Sequence, residues 1–260
     1  MSFRPNKVIA HIVSWLDSYA VNANAKGFVV GVSGGIDSAV TATLCLMTGR
    51  PVYIMDMPIL QASTELSRSL ELRESLSKRF DNTNIRTVSL TDTYEALQAT
   101  LSLERNADLA HANTRARLRM TALYAIAAER NALVVGTGNK IEDFGVGFFT
   151  KYGDGGVDLS PIADLVKSEV FALGLELCVP QSILDAAPTD GLWGDERNDE
   201  DQIGASYPEL EQAMAFIANS GDPSILEGRP LEVYNIYTKL NAQNRHKMVP
   251  IPVCTIPGDL

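Results

Sequence analysis

The stretch 31–38, GVSGGIDS, gathers residue types that can hold a phosphate. It follows an apolar run and leads into a helical pattern. Glycines there let several backbone N–H groups close around an anion, and the helix start adds partial positive charge. Ser33 and Ser38 can contribute hydroxyl donors. Asp37 does not fit a bare phosphate cradle, because a carboxylate repels phosphate unless a cation lies between them. Mg²⁺, which binds one or two carboxylates together with phosphates, resolves the conflict. Two familiar templates fail. A P-loop needs a lysine that this loop lacks, and the dinucleotide fingerprint is broken by Val32 and Ser33 after Gly31. The plainer alternative is a strand-to-helix turn with Asp37 or Ser38 as the cap.

The elements that must position this loop follow from periodicity. Apolar, β-branched runs at 27–32, 52–57, 85–90 and 132–136 alternate with helical patterns at 38–48, 63–80, 93–101 and 114–130. That alternation predicts right-handed crossovers and an α/β fold with a parallel, twisted sheet flanked by helices. Each run is continuously apolar, as expected of strands covered on both faces. Ligands of such sheets bind beyond the carboxyl ends of the strands, which here are 33–37, 57–61, 90–93 and 137–142. Further helices are predicted at 163–177, 208–220 and 232–244, with an acidic, mobile loop at 191–204. An N-terminal amphipathic helix would turn Val8, Ile9, Ile12, Val13 and Leu16 inward. No linker divides the 260 residues, so one domain is expected, closed by a C-terminal helical extension.

Net charge −10 argues against general nucleic-acid binding, so an anionic substrate must meet local cations. No apolar run is long enough for a transmembrane helix, and the N-terminus lacks the features of a signal peptide. Cys45, Cys178 and Cys254 are scattered and odd in number, and read as buried thiols of a reducing, cytoplasmic compartment.

Ser33-Gly34-Gly35-Ile36-Asp37-Ser38 resembles the PP-loop of the ATP pyrophosphatase superfamily, a Rossmann-like, adenine nucleotide alpha hydrolase-like fold. Those enzymes split ATP between its α and β phosphates, adenylate a substrate oxygen and displace AMP with a nitrogen or sulfur nucleophile. Four downstream segments narrow the choice: 113–120 (NTRARLRM), 136–142 (GTGNKIE), 147–158 (GFFTKYGDGGVD) and 245–248 (RHKM), with Pro188-Thr189-Asp190 between the last two. In this order they resemble the ammonia-dependent NAD⁺ synthetases, over nearly the whole chain.

That resemblance implies amidation of deamido-NAD⁺ by ammonia with ATP, giving NAD⁺, AMP and pyrophosphate. It implies ATP contacts from Gly31, Val32, Ser33, Gly34, Gly35, Ile36, Asp37, Ser38, Thr137, Lys167 and Thr189. Asp37 and Glu142 would be the Mg²⁺ ligands, and Asp154 would bind ammonium and accept its proton. Deamido-NAD⁺ contacts would come from Arg117, Phe148, Lys151, Asp158, His246 and Lys247. Arg115 and Arg119, each two residues from Arg117, fan around the helix and are expected to be solvated or ion-paired. A homodimer with the dinucleotide across its interface is also implied. Glutamine-dependent members carry a preceding amidase domain. Here the strand before the loop begins at Gly27, so free ammonia is the expected nitrogen source.

One departure stands out. Where many relatives have Arg-Leu-Pro, this chain has Asp56-Met57-Pro58 ahead of Gln61, so an arginine near ATP is missing and Met57 could hold adenine instead. The rivals are another PP-loop enzyme amidating or thiolating a different nucleotide, and a non-catalytic nucleotide-binding regulator. The regulator would keep the glycines but has no need of Asp37, Glu142 and Lys167 together.

Overall fold

The structure is a computed structural model and describes residues 3–60, 63–102, 104, 106–189 and 198–258. Gln61, Asp190 and most of the acidic loop, 191–197, lie outside the described residues.

Four parallel strands form one sheet: β1 (Gly27–Gly31), β2 (Val52–Asp56), β3 (Thr83–Thr87) and β4 (Ala132–Val135), in the order β3-β2-β1-β4. The direction of winding reverses beside β1, and such a reversal opens a crevice at the carboxyl edge. The period-two alternation of strand side chains sends Phe28 and Val30 of β1 to one face and Val29 to the other. The first face is covered by α1 (Pro5–Asn22), α2 (Ile36–Leu46), α3 (Ser63–Arg79) and α6 (Lys167–Glu176). The second is covered by α4 (Thr91–Leu101) and α5 (Asp108–Arg130). In α1 the predicted stripe is present: Ile9, Ile12 and Leu16 are buried, and Val8 and Val13 pack against the same core.

A third apolar cluster joins a π-helical segment, Ile141–Val146, to α8 (Asp199–Ile203), α9 (Tyr207–Ala218) and α10 (Gly228–Met248). Short α7 (Gln181–Leu184) follows α6. No helix among the described residues is long and apolar enough to cross a membrane.

Three expectations need correction. β3 is not covered on both faces: it is an edge strand, exposed from Asn84 to Thr87, and its sequence TNIRT carries one large apolar residue, Ile85, 39% exposed. Part of the acidic loop is ordered, because Asn198 caps α8 by accepting the Asp201 N–H at 2.7 Å. Only Cys45 is buried. Cys178 sits in the left-handed region (φ 53°) at the end of α6, and Cys254 lies in the exposed chain after α10.

The outer side of β4 is closed by its own downstream chain. Gly136 N–H donates to Leu159 O (2.7 Å), Asp158 N–H to Val134 O (2.9 Å), and Val134 N–H to the Asp158 carboxylate (2.8 Å).

Candidate active site

At the carboxyl edge, the turn from β1 to α2 supplies the loop. Gly34 has φ +84°, a conformation that side-chain-bearing residues resist. The loop is braced internally: Ser38 Oγ donates to Gly35 O (3.0 Å), and Gly35 N–H donates to Ser33 Oγ (3.3 Å). Gly35 is the N-cap of α2 and offers no side chain, so the first N–H groups of α2 are left facing the cavity.

Asp37 lies in the first turn of α2. It accepts from Lys167 Nζ at 2.5 Å and from Asn139 Nδ2 at 3.3 Å. Lys167, at the start of α6, also donates to Glu142 Oε1 at 3.0 Å. Asn139 is fully buried, and its Oδ1 accepts the N–H groups of Ile141 (3.1 Å) and Glu142 (3.2 Å), which anchors the π-helical turn that presents Glu142. Three segments distant in sequence thus converge on one buried ammonium. Burial opposes the charge of Lys167, but the carboxylates of Asp37 and Glu142 outweigh it and hold the ammonium above its ordinary range. Burial pushes the Asp37 carboxyl up, with Lys167 opposing.

Tyr207, the first residue of α9 and 3% exposed, completes the group. Its hydroxyl donates to Glu142 Oε1 (2.5 Å) and lies 3.3 Å from Asp199 Oδ2, while Lys167 Nζ sits 4.6 Å from the ring centroid. Burial and then the neighbouring carboxylates push its phenol far up, so it remains a donor. The third apolar cluster therefore adds the Tyr207 hydroxyl to the groups that hold the Glu142 carboxylate. Tyr207→Phe is expected to cost about 1–2 kcal/mol, the typical worth of one such hydrogen bond. Urea unfolding measures this, and a loss above about 4 kcal/mol would mean that the ring's seat, rather than its hydroxyl, is at stake.

The cavity around these groups has a volume of ≈ 250 Å³. Every residue of 31–38 lines it, with Thr137, Glu142, Phe148, Asp154, Lys167 and Thr189. The Asp154 carboxylate accepts the Thr150 N–H at 2.9 Å, and burial pushes it up to about 6. Asp143, beside Glu142, also faces the cavity; burial and then the charges of Glu142, Asp154 and Asp37 push it up to about 8.

Five predicted residues lie outside this lining. Arg117 is exposed and donates to Lys151 O (3.2 and 3.3 Å), Lys151 Nζ donates to His246 O (2.7 Å), and Lys247 Nζ donates to Gly147 O (2.7 Å) and Phe149 O (2.8 Å). Asp158 accepts from Tyr124 Oη (3.0 Å) as well as from Val134 N–H. Arg119, expected to be solvated or ion-paired, instead lines the cavity and donates through Nε to Met57 O at 3.0 Å. It faces inward because the helix turn that exposes Arg117 carries a residue two positions on to the opposite side.

Asp37 and Glu142 fit a hard divalent cation, since both carboxylates already converge on one positive centre. Among the described residues no group of three or more His, Cys, Asp and Glu side chains could hold a metal alone. Two carboxylates completed by substrate oxygens are the pattern that Mg²⁺ favours.

The family model described as NAD synthase matches residues 8–250. An "NH(3)-dependent NAD(+) synthetase" of Syntrophomonas wolfei is 36% identical over 261 residues, covering 98% of each chain. One from Methanosarcina mazei is 34% identical, covering 93% of this chain and 95% of its own. Among solved structures, an NMN synthetase from Francisella tularensis superposes with a TM-score of 0.83 at 36% identity, covering 99% of this chain and 100% of that one.

Proposed function

The chain belongs to the NAD synthase family, and from that premise we propose that it amidates deamido-NAD⁺ with ammonia and ATP, giving NAD⁺, AMP and pyrophosphate. It is a ligase that forms a C–N bond. One observation carries the reading. A phosphate-cradling loop and the Asp37–Lys167–Glu142 group open into one cavity, which also contains Asp154.

The nicotinate carboxylate is a poor acyl donor and must first be activated. One of its oxygens attacks the α-phosphorus of ATP, the bond to the β-phosphate breaks, and pyrophosphate leaves. Ammonia then attacks the acyl carbon and AMP departs. In this reading the N–H groups and hydroxyls of 31–38 hold the phosphates, and Thr137, Lys167 and Thr189 contact the nucleotide. The absent P-loop lysine suits a loop that retains a departing pyrophosphate. Asp37 and Glu142 would hold Mg²⁺, which when bound neutralises phosphate charge. Asp154, a carboxylate at neutral pH with a value near 6, would bind ammonium and take its proton.

Arg117, Phe148, Lys151, Asp158, His246 and Lys247 would contact deamido-NAD⁺. Five of these lie outside the cavity lining, which suits a homodimer in which a second copy completes the dinucleotide site. A cytoplasmic location belongs to the same proposal.

A second reading keeps the chemistry and shortens the acceptor to nicotinate mononucleotide. The similarity to the NMN synthetase over the full length of both chains favours it. One assay separates the two. Protein, ATP, Mg²⁺ and ammonium are incubated with either acceptor, and AMP and the amidated nucleotide are followed. Equal amounts of AMP and NAD⁺ are expected with deamido-NAD⁺. Preferential turnover of the mononucleotide would establish the second reading, and ADP in place of AMP would overturn both. Glutamine in place of ammonium should give little product.

A further inference from the structure

Three cationic side chains line the cavity: Arg68, Arg119 and Lys167. Two are committed. Lys167 lies between Asp37 and Glu142, and Arg119 Nε donates to Met57 O. Arg68, on α3, differs. Its Nε is buried with no hydrogen-bond partner among the described residues. A buried N–H left unpaired costs about 1–3 kcal/mol, so its persistence needs an explanation. The nearby acid does not supply one. Asp56 is met by Arg73 NH2 at 3.1 Å and by the Ser69 hydroxyl at 3.3 Å, from the same helix.

The side from which Arg68 approaches indicates what it awaits. Leu72 and Leu76 of α3 share a core with the residues of α2, so α3 lies on the α2 face of the sheet. Arg68 thus reaches, from a helix on the α2 face of the sheet, the same cavity that is lined by the residues around the uncapped start of α2. An anion seated on those N–H groups would meet the guanidinium. Guanidinium binds phosphate through paired, charge-assisted hydrogen bonds.

We propose that Arg68 contacts the phosphate chain of ATP, supplying from α3 a cation that the loop 31–38 does not contain. The inference rests on reading the cavity as a nucleotide site. It also accounts for the arginine missing after β2: Asp56 at that position is paired with Arg73, and the guanidinium with an unpaired Nε comes from Arg68, five residues earlier on the same helix.

The test is equilibrium binding by calorimetry of three probes: ATP, inorganic pyrophosphate and adenosine, each with Mg²⁺. Wild type is compared with Arg68→Met, which keeps the stem and removes the charge, and Arg68→Lys, which keeps the charge and removes the fork. Loss of a charged hydrogen bond should weaken ATP and pyrophosphate about 10- to 100-fold in Arg68→Met. Adenosine should stay within about twofold, and Arg68→Lys should fall between wild type and Arg68→Met. Unchanged pyrophosphate binding in either variant would overturn the inference, as would a loss confined to adenosine, which would make Arg68 a base contact. A wild-type protein that binds neither ATP nor pyrophosphate would overturn the nucleotide reading and this inference with it. If Arg68→Met does not fold, as judged by its thermal transition, Arg68→Lys alone decides, with at least a threefold loss for pyrophosphate expected (about 0.7 kcal/mol).

Discussion

Asp37→Ala is expected to lower turnover by about three orders of magnitude while the chain stays folded, the scale seen when one preorganised electrostatic contact is removed from an active site. Its carboxylate is one of two that converge on Lys167, and one of two that would meet the metal. Breaking a buried ion pair outright costs about 3–5 kcal/mol, because a charge is left alone. Here Glu142 still holds Lys167 at 3.0 Å, and Asn139 still anchors the π-helical turn. Burial also works against the charge of Asp37 itself. The stability loss should therefore stay below about 3 kcal/mol. Steady-state AMP release and urea unfolding, run on the same preparation, separate the two effects. Turnover within tenfold of the parent would remove Asp37 from the chemistry. Asp37→Asn, which keeps the shape and the Asn139 contact, should lose nearly as much activity and less stability.

Gly27→Ala is the largest expected effect on folding. A Cβ at this position would lie 2.0 Å from the carbonyl oxygen of Pro51 and 3.0 Å from its carbonyl carbon. Both are backbone atoms and cannot rotate away. The same carbonyl accepts the Phe28 N–H at 3.0 Å, and the next pair in register is Phe28 with Val52. Relief would pull β2 away from β1 at the centre of the sheet. Overpacking of this kind costs about 3 kcal/mol, and more where the backbone itself must move. Urea unfolding with an unchanged m-value should show it, and a loss under about 1 kcal/mol would mean that the strand pair yields at little cost. The loop 31–38 hangs from the far end of β1, so activity should fall with stability rather than independently.

The parts of the molecule that could be read from sequence share a physical property: their signal is local. The four strands sit within a few residues of their predicted places because each is a short, bounded run, and the loop after β1 carries its own chemistry. β3 departs from the expectation because its five residues, TNIRT, carry a single large apolar side chain, too little to be covered on both faces. Asn139, Arg68 and Tyr207 escaped notice for a different reason. Each is unremarkable in its own segment and acquires meaning only from partners far along the chain, such as Tyr207 from Glu142, 65 positions earlier. A capping signal existed for Asn139, three residues before Glu142, but nothing local marks a buried tyrosine that will touch a carboxylate. The inward-facing member of the Arg115, Arg117 and Arg119 trio was likewise undetermined, since a two-residue spacing fixes only that they diverge.

The two margins of the sheet are treated unequally, and this bears on how the molecule behaves in a crowd of its own copies. Beside β4, an acid side chain takes the N–H that another strand's carbonyl would have taken, so that margin presents no template. Beside β3 no further strand pairs among the described residues, and an open edge invites a stranger to pair. The defence there is in the side chains. The strand is five residues long, and Asn84 and Arg86 stand exposed along it. Among the described residues, self-association through the sheet would start at β3, and a charged residue stands there.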